Sequence, residues 1–263
     1  MYRLLFSFTR LLTYFVCIIS ILLLPVFSVS QEPTAKLDTA KTKFEEFNKL
    51  YDETVEASPQ QALVYSENGI LEANQVNDQA ALYDFVLKKA NAQFRLKQYD
   101  SAIKTYNYAL KYYQSVDSVY QTYFTLRRLG NTYSNKVNRD SSLYFYLLAQ
   151  DFAVRLDDQH LWAKNQNTIG LNHWYLGHYS EALSYFQSAI ENFNAVKDSG
   201  FVGLIYNNIG TVYWGLSMYD LAMEYYQKSL LIRESLNQKR KSVNVLNNIG
   251  MVLNATHKPD DAF

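Results

Sequence analysis

Small and aromatic residues recur along this chain at intervals of 40 residues. One column consists of glycine, with an alanine in its first place: Ala90, Gly130, Gly170, Gly210 and Gly250. A second column holds small residues: Ala62, Ala102, Ser142, Ala182, Ala222 and Ala262. A third column is aromatic: Tyr106, Tyr146, Phe186 and Tyr226. A fixed period of this length indicates stacked copies of one supersecondary unit.

Within one unit, the apolar spacing predicts two amphipathic helices. In the unit that begins near Ala163, we expect a first helix over about 160–177 and a second over 179–195. The second helix has a buried stripe with the spacing i, i+4, i+7, i+8, formed by Ala182, Phe186, Ala189 and Ile190. The break between the helices falls at Gly177, because glycine supplies the backbone freedom that ends a helix.

Short polar residues mark the predicted helix starts at the same period. Those before each first helix are Asp78, Ser118, Asp158 and Asp198. Those at the start of each second helix are Asp100, Asp140, Ser180, Asp220 and Asp260. A short acceptor caps free amide groups, and an anion is favoured at the positive end of a helix dipole. Both sets are therefore interpreted as structural.

The first thirty residues lack the repeat and are strongly apolar. Their only charges are Arg3 and Arg10, which precede an apolar run over 11–24, then Pro25 and small residues. This order predicts a secretory signal peptide over residues 1–30. The apolar run is shorter than the roughly 20 residues of a spanning helix. Retention as an uncleaved membrane anchor remains the alternative.

Composition argues against most site chemistry. Cys17, the only cysteine, lies in the leader, so the mature chain is expected to have no disulfide and no thiolate metal site. Lys and Arg number 25, as do Asp and Glu, without a long run of one sign. That balance does not favour nucleic acid or an anionic membrane surface as a partner. Because neither zinc-binding histidine spacing nor a phosphate-binding glycine loop occurs, we expect no cofactor, no metal and no catalytic residue.

The repeat resembles the tetratricopeptide repeat family. The residues that carry the resemblance in one unit are 209–213 (Ile-Gly-Thr-Val-Tyr), 219–222 (Tyr-Asp-Leu-Ala), Tyr226 and Leu230. The units around Gly170 and Ala102 match equally well, and the resemblance covers residues 43–263. Two departures are a period of 40 rather than the common 34, and a weaker unit around Ser142, where Arg139 replaces an aromatic residue. The long period resembles that of the extended-helix members of the family.

The resemblance implies an all-α fold, a right-handed α-solenoid of stacked antiparallel helix pairs. The predicted domains are a signal peptide at 1–30, a linker at 31–42 and a solenoid at 43–263. Five units are expected at 43–82, 83–122, 123–162, 163–202 and 203–242. A sixth begins at 243 and is unfinished at Phe263. Because a solenoid needs a polar terminal cap, the unfinished unit predicts a longer protein.

The resemblance also implies a binding groove lined by the first helices of the units. The packing stripe of one first helix runs through Tyr206, Gly210 and Tyr213, and the neighbouring stripe carries amides and indoles. The candidate partner-binding residues are Asn131, Asn167, Asn207, Asn247, Trp174 and Trp214. An amide both donates to and accepts from a peptide backbone, and an indole supplies apolar contact. The alternative is that the amides hydrogen-bond between helices and the indoles fill the space between repeats.

These expectations favour a non-catalytic solenoid that binds protein or peptide outside the cytoplasm. Such arrays resemble the extracytoplasmic sensory regions of bacterial membrane signalling proteins, including sensor kinases and transcription regulators. That resemblance implies a periplasmic or extracytoplasmic location, with a membrane tether in the full-length protein, and rests on analogy. The alternative is a free periplasmic or secreted scaffold for protein assembly.

Overall fold

Eleven α-helices and no strand make up residues 31–256, the part of the chain that the computed structural model describes. In chain order they are α1 (Gln31–Thr54), α2 (Pro59–Gln75), α3 (Gln79–Arg95), α4 (Tyr99–Ser115), α5 (Val119–Asn135), α6 (Arg139–Arg155), α7 (Gln159–Tyr175), α8 (Tyr179–Ala195), α9 (Ser199–Gly215), α10 (Tyr219–Ser235) and α11 (Lys239–Ala255). Each helix from α2 onward has 17 residues and is separated from the preceding helix by three residues or, for α2, by four. A helix and its turn therefore advance 20 residues, and two of them make the 40-residue period. The predicted all-α fold of stacked helix pairs is confirmed.

The helices divide into two compact units, which are described separately. Unit 1 extends to Leu96 and contains α1 to α3, with α2 packed against both neighbours. Its core joins Tyr51 of α1, Ala62 of α2 and Ala92 of α3. The segment 31–42, a linker by its sequence pattern, lies within α1 and is helical.

Unit 2 begins at Lys97 and contains α4 to α11, in which each helix packs against the next. The aromatic column of its even-numbered helices is buried, as are the small residues that precede it by four positions. In three hairpins the glycine column faces these rings at close range. A β-carbon added to the glycine would approach the ring atoms to 3.0 Å (Gly130 to Tyr146), 2.8 Å (Gly170 to Phe186) and 2.7 Å (Gly210 to Tyr226). These three glycines are therefore points of close packing between the two helices of a pair.

The three-residue turns share one backbone conformation. Their middle residues have positive φ angles and recur every 20 positions: Asn77, Lys97, Asp117, Val137, Asp157, Gly177, Lys197, Ser217 and Asn237. At the end of α4, the amide of Ser118 donates to the Tyr113 carbonyl at 2.9 Å and that of Asp117 to the Gln114 carbonyl at 3.2 Å. This pair of bonds is the Schellman motif. Ser118 is also the N-cap of α5, so the same residue closes the end of α4 and begins α5.

The acidic residues expected at helix starts fall into two groups. Asp78, Asp158 and Asp198 are N-caps whose carboxylates accept amide hydrogen bonds at 3.0, 2.9 and 3.1 Å. Asp100 and Asp220 instead lie in the first turns of α4 and α10, after Gln98 and Met218 as N-cap residues. Their negative charges interact favourably with the positive end of the helix dipole, and their side chains are not N-caps.

Several expectations concern residues outside the described range. The predicted signal peptide at 1–30 and the start of a sixth second helix, with Asp260 and Ala262, are among them. Between residues 31 and 256, none of the helices combines the length and the apolar character that crossing a bilayer requires.

Candidate functional site

The first helices of the repeats lie side by side in unit 2. The Tyr123 hydroxyl of α5 donates to the Leu161 carbonyl of α7 at 3.0 Å, and α9 contacts both α7 and α11. We call the surface formed by α5, α7, α9 and α11 the odd-helix face. It contains all six candidate binding residues.

Two of the candidate asparagines connect neighbouring odd-numbered helices. The Nδ2 of Asn208 donates to the Oδ1 of Asn167, and the Nδ2 of Asn248 donates to the Oδ1 of Asn207, both at 2.9 Å. Asn167 is only 8% exposed, and Asn207 is half-buried. Among the described residues, neither Asn167 nor Asn207 has an acceptor for its own Nδ2. Each amide therefore uses its oxygen between helices and retains two N–H donors.

The outer two asparagines are placed differently. The oxygen of Asn131 accepts a hydrogen bond from the Tyr146 hydroxyl within one hairpin. Burial raises the pKa of Tyr146 to about 12, which keeps that hydroxyl a donor. The side chain of Asn247 is exposed and makes no hydrogen bond to residues 31–256. The four amides thus share a face without sharing one bonding pattern.

The two tryptophans also differ in their surroundings. Trp174 is half-buried, packs with the core between α7 and α9, and has its ring 4.6 Å from that of Tyr175. A β-carbon at Gly215 of α9 would lie 3.9 Å from the Trp174 Nε1, so this indole occupies the space between repeats. Trp214 is 36% exposed. Trp214 is therefore the indole that presents more surface to a partner.

His173 lies in a repeated aromatic stack rather than in a ligand cluster. Its ring stacks on Tyr185 with centroids 5.3 Å apart. The stacks one unit earlier and later join Tyr133 to Phe145 at 5.3 Å and Tyr213 to Tyr225 at 5.4 Å. His173 is therefore a packed histidine in a column that its neighbouring repeats fill with tyrosine. In the described part of the chain, His, Cys, Asp and Glu form no group of three suited to a metal ion.

A cavity of about 470 Å³ between α9, α10 and α11 has no counterpart in the sequence-based expectations. Its lining includes Gly200, Leu204, Asn207, Arg233 and Lys241. It therefore adjoins the candidate asparagine stripe. One sign of this site is visible in the sequence: Arg233 places a charge in a column that is otherwise uncharged and buried. The positions 40, 80, 120 and 160 residues earlier hold Phe193, Ala153, Tyr113 and Ala73.

Sequence models of the tetratricopeptide repeat match two parts of the chain, residues 84–115 and 201–263. These segments carry tetratricopeptide repeats, and the stacked helix pairs extend the same architecture through the remaining described helices. No curated protein sequence is significantly similar to this one.

Solved structures with this architecture include the apo form of RapI, which is 18% identical. That match covers 85% of this chain and 81% of RapI, with a TM-score of 0.73. BtubC from P. vanneervenii is 19% identical over 78% of this chain and 87% of its own, with a TM-score of 0.67. The Rap conjugation gene regulator of plasmid pLS20, solved with the Phr* peptide, is 16% identical over 88% of this chain and 70% of its own, with a TM-score of 0.60. At these identities the similarity establishes the fold, a tetratricopeptide-like helical solenoid.

Proposed function

We propose that this chain binds an extended peptide, or an extended segment of a protein, on the odd-helix face of unit 2 and catalyses no reaction itself. The observation that carries the proposal is the amide arrangement of Asn167 and Asn207. Their oxygens are occupied by the next odd-numbered helix, at 2.9 Å in both cases. Their N–H groups, which have no acceptor in residues 31–256, are then available to carbonyl oxygens of a bound backbone.

The remaining candidates add an apolar anchor and one further amide to this face. Trp214 lies two helical turns after Asn207 on α9, and its exposed indole offers the kind of anchor that dominates many interfaces. Asn247 continues the amide register on α11 with both its donors and its acceptor free of described partners. A polar backbone contact next to an aromatic anchor suits an extended segment.

The solved structures support a binding role in general terms. A repeat fold of this type is generally non-catalytic, and one similar Rap regulator was solved with a peptide. Further, we propose that the chain is the exported sensory or interaction region of a longer bacterial signalling protein. A free periplasmic or secreted scaffold is the alternative. Sequencing the N-terminus of the protein recovered from its native cell tests export, since cleavage near residue 30 is expected; recovery of the uncleaved chain in the cytoplasm contradicts it.

Peptide binding can be tested with variants that leave the amide hydrogen bonds between the odd-numbered helices intact. Peptides selected from a random pool on the wild-type protein are titrated against Trp214→Ala and Asn247→Ala by fluorescence anisotropy. Loss of a tryptophan anchor is expected to weaken binding roughly 30-fold, because such anchors contribute about 2 kcal/mol or more. Asn167 and Asn207 are unsuitable first choices, because their removal leaves Asn208 and Asn248 without acceptors.

The matched control is Leu231→Ala on α10, an even-numbered helix, where the side chain is 67% exposed. It removes apolar surface away from the odd-helix face and should leave affinity unchanged. Selection of no peptide at all, or equal weakening by Leu231→Ala and Trp214→Ala, would contradict the proposed site.

A further inference from the structure

The cavity between α9, α10 and α11 occupies a position that aromatic rings fill one repeat earlier. There, the His160 ring stands edge-on to Phe193 and to Phe201, with centroids 5.4 Å apart in each pair. The Phe193 and Phe201 rings stack at 4.7 Å. Forty residues later, the same three places hold Gly200, Arg233 and Lys241. Three packed rings are thus replaced by a glycine and two cations.

Arg233 is buried without a carboxylate partner. The residue is 4% exposed, and its Nη1 donates to the Gly200 carbonyl at 2.8 Å and to the Gln238 Oε1 at 2.6 Å. No Asp or Glu of residues 31–256 forms an ion pair with it. Burial lowers the pKa of Arg233, yet a guanidinium remains charged in proteins. A buried charge without a counterion is costly, so an anion that enters this cavity would stabilise it.

The other charges near the cavity do not neutralise this guanidinium. The Asp198 carboxylate also lines the cavity, but it accepts from the His160 Nε2 at 2.9 Å and from the Phe201 amide at 3.1 Å. Burial works to raise the pKa of Asp198, and these hydrogen bonds lower it overall. Lys241 is exposed at the cavity lining and forms no ion pair within the described chain. The cavity is therefore lined by two cations, Arg233 and Lys241, and by one carboxylate, Asp198, whose hydrogen bonds go to other groups.

We propose that this cavity binds a carboxylate group, held by the Arg233 guanidinium with Lys241 as a second cation. Phe201, Leu204 and Val245 also line the cavity and would contact the carbon chain that bears the carboxylate. Arginine pairs with carboxylates through two parallel hydrogen bonds, which gives both affinity and direction. The volume of about 470 Å³ lies within the range of about 300–1,000 Å³ that small-molecule sites occupy.

The carboxylate has two sources with the same chemistry. One is the C-terminal carboxyl group of a bound peptide, and the other is a free small carboxylic acid. We commit to the peptide, because Asn207 both lines the cavity and belongs to the amide stripe. In that form the inference rests on the proposed peptide-binding function and names the end of the peptide that this cavity selects.

Two matched probe pairs test the inference on the full chain by isothermal titration and thermal unfolding. Hexanoate and hexanamide have the same shape and differ in charge; acetyl-Leu-Phe and its C-terminal amide repeat the comparison in a peptide. At millimolar concentration, both carboxylates are expected to bind and to raise the Tm of the wild-type protein. Both amides should bind at least tenfold more weakly.

Three variants locate the binding in the cavity. Arg233→Gln removes the guanidinium, and Gly200→His restores the ring that fills the equivalent place one repeat earlier. A β-carbon at Gly200 would lie 3.3 Å from its nearest neighbour, the Asp198 Oδ1, which must shift by a few tenths of an ångström. Because that neighbour is a side-chain atom and the added ring enters the cavity, this variant is expected to fold even if Arg233→Gln does not. Both should bind the carboxylates at least tenfold more weakly. The matched control is Arg240→Gln, which removes an exposed cation from the start of α11 that does not line the cavity, and it should bind like the wild type.

The outcomes separate this inference from the proposed function. Hexanoate binding that Gly200→His abolishes supports the cavity site, even if neither peptide binds and the proposed function fails. Selected peptides that bind equally well as acids and as amides overturn the inference while the proposed function stands. Absence of hexanoate binding to the wild type, or binding that Gly200→His and Arg233→Gln leave intact, also overturns it.

Discussion

Val137 adopts the left-handed backbone conformation in the turn between α5 and α6. Its φ is 60° and its side chain is 75% exposed, so no packing favours the residue there. For L-residues this conformation costs about 1–2 kcal/mol, and β-branched side chains suit it least. Asn77 and Asn237 occupy the equivalent places in other turns.

We predict that Val137→Asn raises the free energy of unfolding by about 1 kcal/mol, because asparagine tolerates the left-handed region. The reciprocal change, Gly177→Val, should lower it by about 1–2 kcal/mol. Gly177 has a φ of 78° and open space around an added β-carbon, so backbone strain alone is tested. Urea titration measures both. A Val137→Asn variant no more stable than the wild type would contradict the turn conformation.

His173 makes stability depend on pH. Burial, with a smaller effect from His178, lowers the pKa of His173 below its ordinary value of 6.5. The unfolded chain therefore binds a proton more readily than the folded one. As pH falls through 6.5 the free energy of unfolding should decrease, and this contribution should level off below the lowered folded-state pKa.

The matched variant is His173→Tyr, which installs the residue found at Tyr133 and Tyr213 in the neighbouring stacks. It keeps the ring contact with Tyr185 and removes the titrating group. Between about pH 8 and pH 5, the variant should lose less stability than the wild type in parallel chemical denaturation series. Identical pH profiles would show that His173 does not carry the effect.

At the scale of the helix pair, the glycine column sets how closely α9 and α10 approach. A β-carbon at Gly210 would lie 2.7 Å from the ring of Tyr226, which is only 2% exposed. We predict that Gly210→Leu lowers the free energy of unfolding by about 3 kcal/mol, the upper end of typical overpacking costs. Differential scanning calorimetry measures the effect.

The control for this substitution lies in the same helix. At Gly215 the nearest atoms to an added β-carbon are 3.9 Å away. Gly215→Ala should leave stability unchanged or raise it by up to about 1 kcal/mol, because alanine has the higher helix propensity. Equal destabilisation by both changes would indicate that helix spacing is not what Gly210 controls.

The helix pairs and their buried stripes could be predicted because every repeat has the same packing. Ala182, Phe186 and Ala189 stand at helical spacing, and every unit must bury the same stripe. The hydrogen bond from Asn248 to Asn207 was harder to predict from the sequence, because its donor and acceptor are 41 residues apart and occupy adjacent columns of the repeat. The cavity at Arg233 arises from substitutions in one unit only, so positions that repeat along the chain do not predict it. Val137 in a left-handed turn contradicts local propensity, and the surrounding helices impose it.

At the scale of the whole molecule, contacts within unit 2 follow chain order. Each helix packs on the next, and the pairs α7 with α9 and α9 with α11 also touch. In such an array stability is approximately a sum of local terms and nearest-neighbour interfaces. Local opening can then occur without opening of the entire unit.

This organisation predicts how a local defect spreads. Under conditions in which Gly210→Leu remains folded, hydrogen exchange should accelerate in α9 and α10 and, to a smaller extent, in α8 and α11. Amides of α4, which lies several helices away in chain order, should exchange at the wild-type rate, because no interface that they form is altered. Mass spectrometry of peptides from 99–115 and from 199–235 makes the comparison within one sample. A uniform acceleration across both peptides would mean that unit 2 opens as one cooperative body, and neighbour-by-neighbour stability would then be the wrong description of this solenoid.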